Sequence, residues 1–279
     1  MAKMIDAKLT SKEIDFILYI SRFQDDYGCI SGVHYKEVCE AMNMSYQGFY
    51  DVKNSLIEKG FIISEKSNRI DHDITILGNE FLSEEDIKGG YVNTNHNIFY
   101  NKKFYEMKAG AKLLAMELMK RSYAGQGQVC IGTSVFYEKF TKLFHVTKRI
   151  MRDYLMSLKQ VFSIGIKNGL YYMRPKAEVY RQPGQKHESD NYNEHIITTI
   201  CRRNLIKNPD AKSVKDASVL LRQYKRIANE RNQDIRQSVA VAIKNSVESI
   251  TKGHQKNSSV RKLNPKLVHI LLKKELGVA

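Results

Sequence analysis

The chain has no tryptophan, only four cysteines among 279 residues, and no long apolar run. Each scarcity closes a class of function. A membrane-spanning helix needs about 18 or more consecutive apolar residues, and no such run occurs. The opening MAKMIDAKLTSKE has no apolar core of the kind a secretory signal carries. The expected location is therefore the cytoplasm, with no membrane partner. Cys29, Cys39, Cys130 and Cys201 are scattered without paired metal-ligand spacing, so they read as reduced thiols in or near cores. The Gly-x-x-x-x-Gly-Lys-Ser/Thr loop of P-loop ATPases is absent. Gly125-x-Gly127 and Gly165-x-x-x-Gly169 lack the rest of any nucleotide fingerprint. Asp71-His72-Asp73 falls in an expected strand, where neighbours point to opposite faces, and it reads as surface polar residues rather than a metal corner. His187 and His195 have no partnering cysteines. No enzyme activity, metal or cofactor is expected. The 16 tyrosines are scattered over the chain, which reads as core and rim rather than a base-stacking platform.

What the chain does have is charge, unevenly spread. Formal net charge is +15, but residues 1–100 hold 10 Lys+Arg against 16 Asp+Glu, whereas residues 101–279 hold 35 against 14. A basic field of that size attracts polyanions and speeds encounter with them. The same charge also suits a plain solvated surface, so shape must decide between the two.

Thr10-Ser11-Lys12-Glu13 has capping-box spacing and opens a helix carrying Ile14, Ile17, Leu18 and Ile20. Asp25 to Gly32 breaks the pattern, and His34 to Met42 reads as a second helix. Ser45 is the expected N-cap of a third helix, Tyr46 to Lys59, stopped by a left-handed Gly60. Strands at Phe61–Ile63 and Ile70–Ile76 flank a loop from Lys66 to Arg69. The order then recurs. Short strands at Tyr91-Val92 and Asn97–Tyr100 lead to helices at Ala109–Arg121, Ser134–Phe144 and Lys148–Gln160, with a strand at Val129–Ile131 and Thr147 as N-cap. Strands at Phe162–Ile166 and Leu170–Met173 meet at Asn168-Gly169, the best short hairpin signal a sequence offers. Residues 174–192 read as a linker, and four helices follow at 194–207, 214–226, 233–250 and 265–276, the second with capping spacing at Ser213 and Asp216. The expected domains are 1–86, 87–176 and 177–279.

An α-helix fits the major groove of DNA and reads base edges from its N-terminal residues. In Lys148–Gln160 the inward residues are Met151, Tyr154, Leu155 and Leu158; the outward ones include Thr147, Lys148, Arg149, Arg152, Asp153 and Lys159. Arg149 or Arg152 could grip a guanine. Lys167 and Asn168 stand at the hairpin tip within reach of phosphate, and Lys142, with Lys139 and His145, flanks the approach. The corresponding helix near the N-terminus has an outward stripe of Gln47, Asp51, Asn54 and Glu58, whose carboxylates phosphates would repel. Tyr46 and Gln47 could still make a contact, but a protein-interaction role or a plain structural one suits that charge better. Residues 174–279 hold 22 Lys+Arg against 10 Asp+Glu, clustered at Arg202-Arg203, Arg222, Lys225-Arg226, Arg261-Lys262 and Lys273-Lys274. Apolar stripes for assembly and basic faces for DNA are the expected mixture there.

Three helices and a hairpin, twice over, resemble winged helix-turn-helix domains. The stretch NIFYNKKFYEMKAGAKLLAMELMKR (97–121) is also similar to the opening of the winged-helix domain in replication initiators of Firmicute plasmids and phages, including the DnaD-like group. The resemblance implies a mainly α fold with small β wings: tandem winged helix-turn-helix domains followed by a helical C-terminal region. It implies double-stranded DNA as partner, contacted by Thr147, Lys148, Arg149 and Arg152 with Lys167 and Asn168 in the wing. The expected function is sequence-specific transcription regulation by a homo-oligomer. A plasmid or phage replication initiator is the alternative, and a non-catalytic interaction scaffold the second.

Overall fold

A computed structural model describes residues 1–67, 71–81, 94, 98, 101–124, 127–179, 190–253 and 261–278. They form two compact units, Met1–Lys186 and His187–Ala279. The expected strands at Tyr91-Val92 and over most of 97–100, the hairpin loop at 68–70, Gly125-Gln126, most of the 174–192 linker and the break after Gly253 lie outside the described residues.

The first unit contains one topology twice. A short α1 (Ala2–Asp6) is followed by α2 (Ser11–Ile20), β1 (Cys29–His34), α3 (Tyr35–Ala41), α4 (Tyr46–Glu58), β2 (Ile62–Lys66) and β3 (Asp71–Ile76). After a one-turn α5 (Lys102–Tyr105), the order returns as α6 (Ala109–Ala124), β4 (Val129–Gly132), α7 (Thr133–Phe144), α8 (Lys148–Leu158), β5 (Phe162–Lys167) and β6 (Leu170–Pro175). Each set closes a three-stranded antiparallel sheet with its last strand in the middle, β1-β3-β2 and β4-β6-β5.

Local chemistry accounts for most of these boundaries. Thr10 and Glu13 complete a reciprocal capping box on α2. Ser45 and Thr147 each accept a backbone N–H three residues on, from Gly48 and Ile150, and so fix the first turns of α4 and α8. Asn168 (φ 50°) and Gly169 (φ 73°) both take the left-handed conformation that a two-residue hairpin turn requires. β1 was not expected. Gly32 (φ 72°) sits at a register shift between Ile30 and Val33; the resulting bulge breaks the alternation by which a strand is recognised.

The two modules share one core. From Ala111 to Met119 every residue of α6 is buried, which is why AGAKLLAMELMK shows no single apolar stripe: a helix covered all round needs none. Its Lys112 ammonium lies 2.6 and 2.7 Å from the Asp15 carboxylate oxygens of α2, with side chains 0% and 2% exposed. The α1 helix packs on α6 and α7, while its Lys3 donates to the Gly60 carbonyl beyond α4. Ser11 Oγ donates to the Met107 carbonyl and Tyr105 Oη to the Met42 carbonyl. The expected domains 1–86 and 87–176 are thus parts of one unit, whose end falls at 186 rather than 176.

Asp71 and His72 are 0% and 6% exposed. This corrects the expectation of surface polar residues; Phe49 and Tyr50 of α4 cover His72, and Asp71 lies in the centre strand opposite His34 of β1. Among the described residues no cluster of His, Cys, Asp or Glu is arranged to hold a metal ion.

The second unit packs α9 (Asp190–Arg203), α10 (Ala211–Glu230), α11 (Ile235–Gly253) and α12 (Pro265–Glu275) around Ile197, Cys201, Leu221, Ile243, Val268 and Leu272. The cap of α10 is Asp210, whose carboxylate accepts from the Ser213 N–H. Ser213 therefore lies inside the helix, one turn later than its spacing with Asp216 suggested. Among the described residues no helix is long and apolar enough to cross a membrane.

Candidate nucleic-acid interface

The exposed face of α8 carries Lys148, Arg149, Arg152, Asp153, Met156 and, at its C-cap, Lys159. Met151, Leu155 and Leu158 fix the opposite face in the core. One contact sets how α8 lies on α6. The Tyr154 ring occupies the space a side chain at Gly110 would need; an added Cβ would stand 2.3 to 2.5 Å from its ring carbons and hydroxyl. A close approach of this kind requires glycine.

Two tyrosines that the sequence did not single out join this face to the hairpin. The Lys148 ammonium lies 5.2 Å from the centroid of Tyr137 on α7, within cation–π range. Tyr137 Oη lies 3.5 Å from Tyr171 Oη on β6. Burial first, and then the Tyr137 hydrogen bond, push the Tyr171 hydroxyl up to about 12, while the nearby Arg152 guanidinium pulls the other way. The Tyr171 hydroxyl therefore stays protonated at neutral pH and can donate. Directly across the hairpin from Tyr171 is Ile166, on the same side of the sheet and 67% exposed. The two-residue turn at Asn168-Gly169 would have revealed this pairing: it sets Lys167 against Leu170 and Ile166 against Tyr171. What hid Tyr137 was its helix, since nothing in the spacing of α7 shows that it meets β6.

Every expected contact residue in this module is exposed: Lys142 in the last turn of α7, Thr147 at the cap, Lys148, Arg149, Arg152 and Lys159 on α8, Lys167 and Asn168 at the hairpin tip. The structure brings Lys148 and Arg152 together around the tyrosine pair. Lys159 lies at the far end of α8, about 18 Å from Thr147 at 1.5 Å per residue, and its carbonyl accepts from Lys176. Among the described residues none of these cations is held by a carboxylate. The one acidic contact nearby is exposed, His145 Nε2 to Asp6 at 3.5 Å. Residues 101–186 hold 17 Lys+Arg against 5 Asp+Glu.

The matching face of the N-terminal module has different residues in the same places. With the caps Ser45 and Thr147 aligned, Tyr46 stands where Lys148 does, Gln47 for Arg149, Tyr50 for Arg152 and Asp51 for Asp153. Tyr46 is 56% exposed and packs against Tyr35 and Tyr50 at centroid distances of 5.0 and 4.8 Å. Gln47 is engaged with Asp51 at 2.8 Å.

In comparisons with protein-family models, curated proteins and solved structures, the chain matches none.

Proposed function

We propose that the chain is a double-stranded DNA-binding protein whose two N-terminal modules are winged helix-turn-helix domains, with α8 as the reading helix. The observation that carries this is a solvent-facing row of Lys148, Arg149 and Arg152 at the N-terminal half of a capped, rigidly seated helix, with no carboxylate among the described residues neutralising it. The repeated strand order, with a hairpin beside the third helix of each module, supports the fold assignment. Lys167 and Asn168 would rest on the backbone beside the groove. Arg149 and Arg152 are the base-reading candidates, because guanidinium pairs with guanine through two hydrogen bonds. The C-terminal unit adds an exposed stripe of Lys212, Lys215, Arg222 and Arg226 on one side of α10, suited to phosphates. The biological role we assign is sequence-specific control of transcription.

Fluorescence anisotropy with labelled duplex tests the assignment. If Lys142, Lys148, Lys159 and Lys167 meet phosphates while Arg149 and Arg152 read bases, log affinity falls with log salt at a slope of about −4. The paired substitution Arg149→Ala and Arg152→Ala weakens binding and abolishes sequence preference while most of the salt slope remains, with the circular dichroism spectrum unchanged. Equal affinity of the double variant and the parent at every salt concentration refutes the assignment.

A further inference from the structure

On the N-terminal module, the notch between α4 and its hairpin gathers positive charge. Three residues contribute from two elements. Lys53 follows Tyr46 and Tyr50 along one side of α4, at helical spacings of four and three. It is 8% exposed, and its ammonium lies 5.1 Å from the Tyr50 ring centroid. Lys66 and His72 face one another across β2 and β3. His72 is 6% exposed, with its ring 5.9 Å from that of Tyr50 and 6.0 Å from that of Phe49. Asp71 and Asp73 alternate to the opposite side of the strand, where Asp73 accepts from the Gly32 N–H.

The Lys53 stem is buried while its ammonium is not sealed from solvent, and an ammonium held beside the core in this way commonly has a carboxylate partner. Elsewhere in this unit that holds: the buried Lys112 has Asp15, and the partly exposed Lys59 has Glu13 at 2.7 Å. Among the described residues, Lys53 and Lys66 have none. Burial, then repulsion from Lys66, makes the Lys53 ammonium easier to deprotonate. Burial, then Lys53 and Lys66, does the same to the His72 imidazolium, against the weaker pull of Asp71 and Asp73. Two ammonium groups without a carboxylate partner, beside an imidazole, suit an anion.

Comparison with the other module indicates which anion. There the corresponding notch has its cations on the helix, Lys148 and Arg152, and its aromatic and apolar side chains on the strands, Tyr171 and Ile166. Here the arrangement is exchanged. The aromatics Tyr46 and Tyr50 are on the helix, and Lys66 and His72 occupy the strand positions of Ile166 and Tyr171. Both notches lie between the third helix and the hairpin and combine cations with aromatic rings. We propose that Lys53, Lys66 and His72 hold a phosphate group of a nucleic-acid backbone, so that the N-terminal module contacts the nucleic acid through this notch rather than through its acidic outward stripe. The choice of a nucleic acid rests on the reading of α8; the phosphate chemistry rests on the notch alone.

The test follows the ring resonances of His72 in the full chain, assigned with His72→Gln, during separate titrations with a duplex oligonucleotide and with inorganic phosphate. The expected result is that duplex shifts these resonances. Lys66→Ala, an exposed substitution that spares the fold, removes the shift, weakens duplex binding roughly tenfold and makes the salt slope shallower by about 0.9. Lys53→Met, which keeps the buried stem, behaves alike. If duplex binds through Arg149 and Arg152 while His72 and the Lys66→Ala slope do not change, the notch proposal is overturned and the α8 assignment stands. If inorganic phosphate shifts His72 but duplex never binds, the phosphate chemistry survives and the nucleic-acid source is overturned. No shift with either probe overturns the proposal entirely.

Discussion

Substituting Lys112 by methionine isolates the buried ionic contact between the two N-terminal modules. The substitution keeps the bulk and the helix propensity of the side chain and removes the charge. Asp15 is then left 2% exposed, opposite a thioether instead of an ammonium at 2.6 Å. Breaking a buried pair from one side costs about 3–5 kcal/mol. Linkage gives a floor. The parent already bears part of the cost, because burial pushes its Asp15 up to about 6, so a carboxyl that takes up a proton at pH 7 in the variant adds about 1.4 kcal/mol for the one pH unit between. For a unit of this size the melting temperature falls by about 2–4 °C per kcal/mol, so the loss is roughly 10 °C. The pH dependence adds a sign. A carboxyl that binds its proton more tightly folded than unfolded makes the fold more stable as pH falls. In the parent, burial already pushes Asp15 up to about 6 against the pull of Lys112, so this gain sets in only below about pH 6. In Lys112→Met it sets in above pH 7, and the deficit narrows by about 1.4 kcal/mol between pH 7 and pH 6. Adding Asp15→Leu to Lys112→Met should recover most of the stability, because an apolar pair of similar volume replaces a desolvated ionic one. Urea unfolding at both pH values, followed by circular dichroism, measures all three variants. A loss under 1 kcal/mol for Lys112→Met, or a double variant as unstable as the single, would refute the reasoning.

Three further outcomes follow from the packing. Gly110→Ala should destabilise by about 1–3 kcal/mol despite the better helix propensity of alanine, because its Cβ collides with Tyr154; adding Tyr154→Ala relieves the clash, and thermal melts of the single and double variants distinguish strain from a generic loss. Thr147→Ala removes the acceptor for the Ile150 N–H and should cost about 1 kcal/mol in melts without DNA. Glu13 is buried, which opposes its ionisation, but Lys59, Ser55 and the Thr10 cap outweigh burial and hold it below its ordinary value. A depressed carboxyl stabilises the fold above its unfolded-state value and loses that contribution as pH falls through the folded one, so acid titration of Glu13→Gln should be flatter than that of the parent below pH 4.5.

Most elements could be read from the sequence because their signals are local. Thr10 with Glu13, Ser45, Thr147, Gly60 and Asn168-Gly169 act through hydrogen bonds and dihedral angles spanning a few residues, and each lies where its chemistry placed it. The inward and outward faces of α8 follow from helical spacing alone, so the basic row of Lys148, Arg149 and Arg152 was visible before any fold. Only tertiary structure decided the rest. Gly28 and Gly32 read as breakers, yet Gly28 immediately precedes, and Gly32 lies within, a bulged β1 held by pairing with β3. Lys112 and Asp15 are 97 positions apart, so no spacing could show that they unite two modules. Tyr137 meets Tyr171, and Lys53 meets His72, because helix and hairpin fold onto one another. The charge of the N-terminal helix was judged from Asp51 and Glu58 on its outward stripe, whereas the side facing the hairpin carries Tyr46, Tyr50 and Lys53. Composition fixes how much charge a module bears; the direction in which each helix turns, set by which side its neighbours bury, decides where that charge can act.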